Sequence, residues 1–339
     1  MAIEIIGTGR AVPLRRVSND ELPSHLDTSD EWIRSHTGIG ARHIADENTA
    51  CSDLAITASR EALAMAEPGL SAEQAAMTLD MIVLATATGD YIGCPSTACM
   101  VQEKIGAKNA GAMDLAAGCT GFIYALETAA GLLMMNPLRK RALVIGAEVL
   151  SKFADWNDRA SCVLFGDGAG AVVIEKTSHS NAGPEKQGLI SATLSADGSG
   201  AEHIFFKGGG SCDPFKDGQV LEKPISIQIN GQAVYNFAVK AITDTIQKLL
   251  EMENITVDDV AIVIPHQANA RIIQAASKRL KIPEEKIYIN IEEYANTSAA
   301  SIPIALDELN RANKLKRGDL IFMVGFGGGL TYGGNIIRW

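Results

Sequence analysis

Three polar residues stand where a side chain could do chemistry. Cys119 follows the small-residue run Asp114-Leu-Ala-Ala-Gly and opens a helical segment, Cys119-Thr-Gly-Phe-Ile-Tyr-Ala-Leu-Glu-Thr-Ala-Ala. A thiol at a helix N-terminus meets unpaired backbone N–H groups and the positive end of the dipole, and both favour thiolate, the nucleophilic form. The helix is apolar on nearly every face, Glu127 apart, which predicts a cysteine inside the protein. His266 ends the apolar run Val260-Ala-Ile-Val-Ile-Pro, at the end of a strand, where open α/β sheets hold ligands. Asn296 lies in Glu292-Glu-Tyr-Ala-Asn-Thr-Ser-Ala-Ala-Ser, just ahead of a helix over Ile302 to Asn313. Each has an ordinary alternative: a buried structural cysteine, a structural strand-end histidine, a helix cap by Asn296 or Thr297. Cysteine, histidine and asparagine also describe a cysteine hydrolase, in which histidine deprotonates the thiol and asparagine orients the histidine. Spacing does not separate these chemistries.

The glycine-rich runs divide. Gly166-Asp-Gly-Ala-Gly leads into the β-type Val172-Val-Ile rather than a helix, and Gly7-Thr-Gly lacks a third glycine, so neither fits a dinucleotide fingerprint. Gly325-Phe-Gly-Gly-Gly follows a buried strand, where backbone N–H groups can approach a ligand closely, as an oxyanion hole requires. From Asn269 to Ile282, Ile272, Ile273, Ala276 and Leu280 fall on one helix face, while Arg271 and Lys278 align on another beside Arg279 and Lys281. That basic patch suits an acidic partner or a phosphate, and equally a solvated face. The histidines at 25, 36, 43, 179 and 203 stand in polar or loop-like stretches and read as surface residues.

The elements that position these residues repeat along the chain. Ile3-Glu-Ile-Ile-Gly-Thr-Gly matches Leu189-Ile-Ser-Ala-Thr-Leu-Ser-Ala-Asp-Gly, and Leu79-Asp-Met-Ile-Val-Leu-Ala-Thr-Ala matches Asp258-Asp-Val-Ala-Ile-Val-Ile-Pro-His. Arg139-Lys-Arg-Ala-Leu-Val-Ile-Gly-Ala matches Lys316-Arg-Gly-Asp-Leu-Ile-Phe-Met-Val-Gly, and the glycine-rich strands from Gly166 and Gly328 close each set. Helix-period segments lie between them: Cys51 to Met65, Ser96 to Ile105, Cys119 to Met135, Gln232 to Glu251 and Asn269 to Leu280. Alternating strands and helices predict two similar α/β halves, about 1–180 and 181–339, with parallel sheets covered on both faces. A glycine-rich excursion from about Asp197 to Glu222 either covers a substrate entrance or is plain surface.

Composition bounds the rest. With 47% hydrophobic residues over 339 positions the chain can bury a large core, and 40 acidic against 30 basic side chains argue against binding nucleic acid or an anionic membrane by overall charge. No stretch reads as a membrane span, so a soluble, unprocessed protein is expected. The cysteines at 51, 94, 99, 119, 162 and 212 form no C-x-x-C pair and no regular framework, which disfavours disulfides and structural zinc and suggests reduced thiols in a cytoplasm.

Ala116-Ala-Gly-Cys-Thr-Gly-Phe, Pro265-His-Gln-Ala-Asn-Ala-Arg-Ile and Asn296-Thr-Ser-Ala-Ala-Ser resemble the three active-site motifs of the β-ketoacyl-[acyl-carrier-protein] synthase III family. The resemblance runs nearly end to end, through Thr28-Ser-Asp-Glu-Trp-Ile, Phe165-Gly-Asp-Gly-Ala-Gly-Ala and Phe326-Gly-Gly-Gly. It implies the thiolase-like fold, two duplicated α/β halves in a five-layer αβαβα sandwich, and a homodimer. It also implies a ping-pong decarboxylating Claisen condensation, with no bound cofactor or metal. Cys119 would take an acyl group from acyl-CoA, and malonyl-[acyl-carrier-protein] would then lose CO2 and attack it. His266 and Asn296 would donate to the malonyl thioester oxygen, and the N–H groups of Cys119 and Gly328 would hold the acyl oxyanion. By the same resemblance Trp32 and Arg159 would clasp the CoA adenine, Thr28, Asn230 and Asn269 would line the pantetheine path, and Arg271, Lys278 and Arg279 would dock the carrier protein. Two positions depart from the best-known short-chain enzymes: His36 replaces an arginine, and Gly93-Cys94 replaces a bulky phenylalanine of the acyl pocket, which implies a primer longer than acetyl. The rival functions are an acyltransferase of the same fold that forms no carbon–carbon bond, and a catalytically idle carrier-protein-binding subunit.

Overall fold

A computed structural model describes residues 1–178, 187–216 and 225–339. Its main strands are β1 (Ala2–Ala11), β2 (Met81–Ala85), β3 (Gly111–Leu115), β4 (Arg141–Val149), β5 (Asp167–Thr177), β6 (Gly188–Ala196), β7 (Ile262–Pro265), β8 (Leu320–Gly327) and β9 (Thr331–Arg338). The principal helices are α1 (Asp30–Thr37), α2 (Cys51–Ala66), α3 (Thr97–Ile105), α4 (Gly121–Met135), α5 (Gly231–Glu253), α6 (Ala270–Leu280) and α7 (Ser301–Arg311).

The first sheet runs β1-β5-β4-β2-β3 and the second β6-β9-β8-β7, so the strands paired by sequence, β1 with β6, β2 with β7, β4 with β8 and β5 with β9, occupy the same places. The pairing senses repeat too. β2 runs parallel to β4 and to β3, and β7 parallel to β8, whereas β1–β5, β5–β4, β6–β9 and β9–β8 are antiparallel. The expectation of parallel sheets is thus corrected: both sheets are mixed, because β4 and β5, like β8 and β9, follow each other without a crossover helix that returns the chain to the same end. The helices correspond in turn: α2 with α5, α3 with α6 and α4 with α7, each in the same place between its strands. β3 lies at the edge of the first sheet and has no counterpart in the second among the described residues.

Five layers result. α2 packs on one face of the first sheet, α4 and α7 fill the space between the sheets, and α5 with α6 covers the far face of the second. Sheets covered on both faces need unbroken apolar runs, and β4 and β8 are buried along nearly their whole length. Gly118–Met135 is long and apolar enough on its own to cross a bilayer, yet it is the central-layer segment, with Phe122, Ile123, Leu126 and Leu133 packed against both sheets. The expectation of a wholly buried helix is corrected at its end, where Met134 and Met135 face outward.

The division placed at 180/181 falls among residues outside those described, as does His179. The excursion from Asp197 is described up to residue 216. A 3-10 turn (Gly198–His203) leads to a strand (Ile204–Lys207) that pairs with Ser226–Ile229 and abuts Gly328, so its first part borders the glycine loop.

Candidate active site

Cys119 sits in a 3-10 turn, Gly118–Thr120, that opens α4 rather than in the helix itself. The turn is pressed against the loop leaving β8. A Cβ on Gly327 would lie 2.5 Å from the Cys119 nitrogen, and one on Gly118, whose φ is +53°, would lie 2.9 Å from the Gly328 nitrogen. Only glycine permits that approach. The Thr331 hydroxyl joins the two segments, 2.9 Å from the Ala117 carbonyl, 3.0 Å from that of Gly328 and 2.5 Å from the Thr120 hydroxyl. The backbone segments that carry the Cys119 and Gly328 N–H groups are thus in contact, and neither group donates to a backbone carbonyl among the described loops and turns.

One turn, residues 298–301 at the entry to α7, ties the three sequence candidates together. The Ser298 N–H donates to Asn296 Oδ1 (2.8 Å), and the Ser298 hydroxyl, which donates to Glu148 Oε1 (3.0 Å), stands beside the Cys119 thiol and acts on its ionisation. Ser301 Oγ lies 2.8 Å from His266 Nδ1. Asn296 is fixed through its backbone as well, its N–H donating to the Leu164 carbonyl and its own carbonyl accepting from Gly166. That is the work of the Gly166 run that failed the dinucleotide test. With Oδ1 engaged, the Asn296 amide presents its N–H2 as donor.

The imidazole's tautomer follows from its partner. Ser301 Oγ accepts from the Gln267 N–H at 3.4 Å, and His266 Nδ1 is the one acceptor for its proton among the described residues. Nε2 therefore carries the hydrogen, buried and without a partner. Burial holds the His266 pKa down at about 3, so the ring is neutral and acts as a donor. Its edge meets Phe326, with ring centroids 5.4 Å apart.

The thiol departs from the sequence expectation. Burial pushes the Cys119 pKa up to about 12, the nearby Ser298 hydroxyl opposes the rise, and the Glu148 carboxylate adds to it. The helix start alone does not make a resting thiolate, because among the described residues no cation acts on it. Ser298, Ser301, Thr331 and Glu148 were not singled out by sequence reasoning. The first two lay within the Asn296 motif, and Glu148 announced itself only as a lone carboxylate in an apolar strand.

The outlying candidates divide. Thr28 Oγ1 is buried and has no hydrogen-bond partner among the described residues. Asn230 caps α5 through the Ala233 N–H, and Asn269 caps α6 while donating to the His36 carbonyl. Trp32 and Arg159 do meet, but the guanidinium lies 4.8 Å from the ring centre. A base between them would need about 7 Å, two van der Waals contacts of about 3.5 Å each. His36 also stacks on Trp32, with centroids 4.3 Å apart. Arg271, Lys278 and Arg279 are exposed along α6. Gly93 and Cys94 are exposed, and Gly93 has open space where a Cβ would point, so in a single chain they line no enclosed pocket. His43 is not a surface residue: it is mostly buried, bound to the Pro13 carbonyl and stacked on Tyr294. All six cysteines are free, and among the described residues no group of three or more acidic, histidine or cysteine side chains could hold a metal.

Comparison with known proteins bears on the whole chain. Residues 113–198 match the family model described as 3-oxoacyl-[acyl-carrier-protein (ACP)] synthase III, and residues 250–339 match the model of its C-terminal part. The chain is 50% identical to the beta-ketoacyl-[acyl-carrier-protein] synthase III of Clostridium perfringens (strain SM101 / Type A), over 99% of this chain and 98% of the relative. It is 46% identical to that of Syntrophomonas wolfei, over 100% and 98%. The crystal structure of 3-oxoacyl-[acyl-carrier-protein] synthase III from Aquifex aeolicus VF5 superposes with a TM-score of 0.87 at 42% identity, covering 100% of both chains. Full-length identity of that order, on a duplicated sandwich with a cysteine, two neutral donors and a glycine loop at its centre, shows that this chain belongs to the β-ketoacyl-[acyl-carrier-protein] synthase III family.

Proposed function

We propose that Cys119 carries the acyl group between two half-reactions of a decarboxylating condensation. The observation that carries this is the convergence of two buried, neutral donors, His266 Nε2–H and the Asn296 amide, on the turn that also holds the thiol. In the first half-reaction the thiol sulfur attacks the carbonyl of an acyl-CoA, the N–H groups of Cys119 and Gly328 stabilise the oxyanion, and CoA leaves. In the second, a malonyl thioester on acyl carrier protein loses CO2. The two donors stabilise the enolate oxygen, and its carbanion attacks the acyl-Cys119 carbonyl. Neutral donors suit this step, since a buried imidazolium would protonate the carbanion that must attack.

Thr28 and Trp32 serve the CoA end of the entrance, with Arg159 swinging off the ring to admit the base. Arg271, Lys278 and Arg279 present the basic surface on which an acidic carrier protein docks, against an overall charge of -10. The enzyme works in a cytoplasm as a homodimer. β3 is a sheet edge with no further strand paired to it among the described residues, and Tyr91 and Ile92, in the loop after β2, are 57% and 67% exposed, the kind of surface a second copy covers. Gly93 and Cys94 border the acyl chain only if that copy walls the pocket, and their small volume favours a primer longer than acetyl.

Incubation with acyl-CoAs of graded length, followed by digestion and mass spectrometry, identifies the acylated cysteine and the primer; malonyl-[acyl-carrier-protein] is then added and CO2 and β-ketoacyl product are measured. Acyl on Cys119, discharged with decarboxylation, supports the mechanism. Acylation without a carbon–carbon bond would replace it with simple acyl transfer, and absence of acyl on Cys119 with every primer would overturn the nucleophile. Equal activity on acetyl-CoA with none on longer primers would refute the primer assignment.

A further inference from the structure

The mechanism leaves the thiol proton without a destination. His266 cannot take it, because Nε2 already carries hydrogen and Nδ1 faces Ser301. The Cys119 thiol instead meets the Ser298 hydroxyl, and that hydroxyl donates to Glu148 Oε1 at 3.0 Å. Glu148, at the end of β4, is fully buried. Its other donors include the Thr88 hydroxyl (2.6 Å), the Ala87 N–H (3.1 and 3.2 Å) and, more distantly, the Thr86 hydroxyl (3.4 Å), with the Ala299 N–H also turned toward it. Among the described residues no basic side chain hydrogen-bonds it, which sets it apart from a buried ion pair. The titratable groups around it are the thiols of Cys119 and of Cys51 on α2, with Asp90 and Asp114 beyond, near Cys51. Ser298 is held for the task, its φ at +48° and its N–H spent on Asn296.

We propose that Glu148, acting through the Ser298 hydroxyl, is the group that accepts the Cys119 proton during acylation. As the sulfur attacks the acyl carbonyl, the thiol proton passes to Ser298 Oγ and the Ser298 proton passes to Glu148 Oε1. The new bond is Cys119 Sγ to acyl carbon, the broken one is acyl carbon to CoA sulfur, and the departing CoA thiolate recovers the proton by the reverse path. Burial raises the Glu148 carboxyl to about 7, near the pH at which a general base works best. The inference rests on Cys119 as acyl acceptor.

The test is single-turnover acylation of the intact enzyme by acyl-CoA, quenched and read by mass spectrometry across pH 5–10, for the natural chain, Glu148→Gln and Ser298→Ala. The natural enzyme's rate should rise through about pH 7 and then level, with both variants slower by about 10²-fold or more and without that limb, and the double variant no slower than either single one. A rate that climbs without levelling toward pH 10, or variants acylated at the natural rate with the limb intact, overturns the proposal. If Glu148→Gln does not fold, as a thermal melt shows, Ser298→Ala and the natural pH profile decide. Alkylation of Cys119 by iodoacetamide over the same range is a second readout, expected to follow the same limb. Absence of acyl on Cys119 in the natural enzyme defeats the nucleophile assignment itself, an outcome distinct from acylation that ignores Glu148.

Discussion

Gly327→Ala puts the contact between the glycine loop and the nucleophile's turn to a quantitative test. The new methyl would sit 2.5 Å from the Cys119 nitrogen and 3.1 Å from its Cα and Cβ. The first distance is about 1 Å short of an ordinary contact of about 3.5 Å. Both sides are backbone, and the Cys119 turn cannot retreat, since α4 behind it is packed between the two sheets. The overlap must therefore spread the Cys119 and Gly328 N–H groups, and a misplacement of about 1 Å costs roughly 10²-fold in rate. Overpacking should lower stability by about 1–3 kcal/mol, leaving the protein folded. The assay is the rate of acyl-Cys119 formation in single turnover, beside a thermal melt and a Gly131→Ala control. Gly131 lies in α4 with nothing within 4 Å of an added Cβ, so alanine there should raise stability by about 0.5–1 kcal/mol and leave acylation unchanged. A Gly327→Ala enzyme acylated within about threefold of the natural rate, a change under about 1 kcal/mol, would refute the reasoning.

Asn296→Ala should cut malonyl decarboxylation by about 10²–10³-fold while acylation of Cys119 falls far less, read by CO2 release and mass spectrometry on one preparation. Stability should carry two opposed pH dependences. Glu148, raised from 4.5 to about 7, contributes stability that is complete below 4.5 and lost as pH rises through 7, roughly 3 kcal/mol in all. His266, lowered from 6.5 to about 3, contributes stability present above 6.5 and lost as pH falls toward 3. Between 4.5 and 6.5 the slopes cancel in the natural chain, so denaturant melts of Glu148→Gln should show stability rising by roughly 1.4 kcal/mol per pH unit there, and parallel curves would contradict the assignment. Trp32→Ala should weaken acyl-CoA binding by about tenfold, the value of one base–aromatic stack, measured by calorimetry. Reversing Lys278 and Arg279 to glutamate should raise KM for malonyl-[acyl-carrier-protein], most at low salt, with acyl-CoA kinetics unmoved.

Much of this was legible in the chain. The likeness of the two sheets was legible in four repeated segments, because sheets covered on both faces demand apolar runs that survive as a pattern. The order of the strands and their antiparallel pairs were not, since a buried run reads the same in either direction. The site trio was legible by residue type and motif, but the ionisation of Cys119 was not. That depends on what surrounds the thiol in space, and the residue that matters, Glu148, is 29 positions away in sequence on another strand. The tautomer of His266 was equally hidden, since it is set by a serine 35 positions on. The Trp32–Arg159 pair was legible as neighbours but not as a closed stack, a matter of a few ångströms that no spacing encodes.

The matching places of α4 and α7 in the two sheets give the duplication a consequence for inheritance. The entry to α4 supplies the thiol, and the entry to α7, its counterpart, supplies the serines and the asparagine. A symmetrical ancestor made of two identical half-length chains would have presented the same side chains twice at the junction. Fusion of the halves would leave each copy free to specialise, one toward the proposed nucleophile and the other toward the groups proposed to receive charge. On that reading neither half holds the whole site, and a change at the seam alters both sides of it at once.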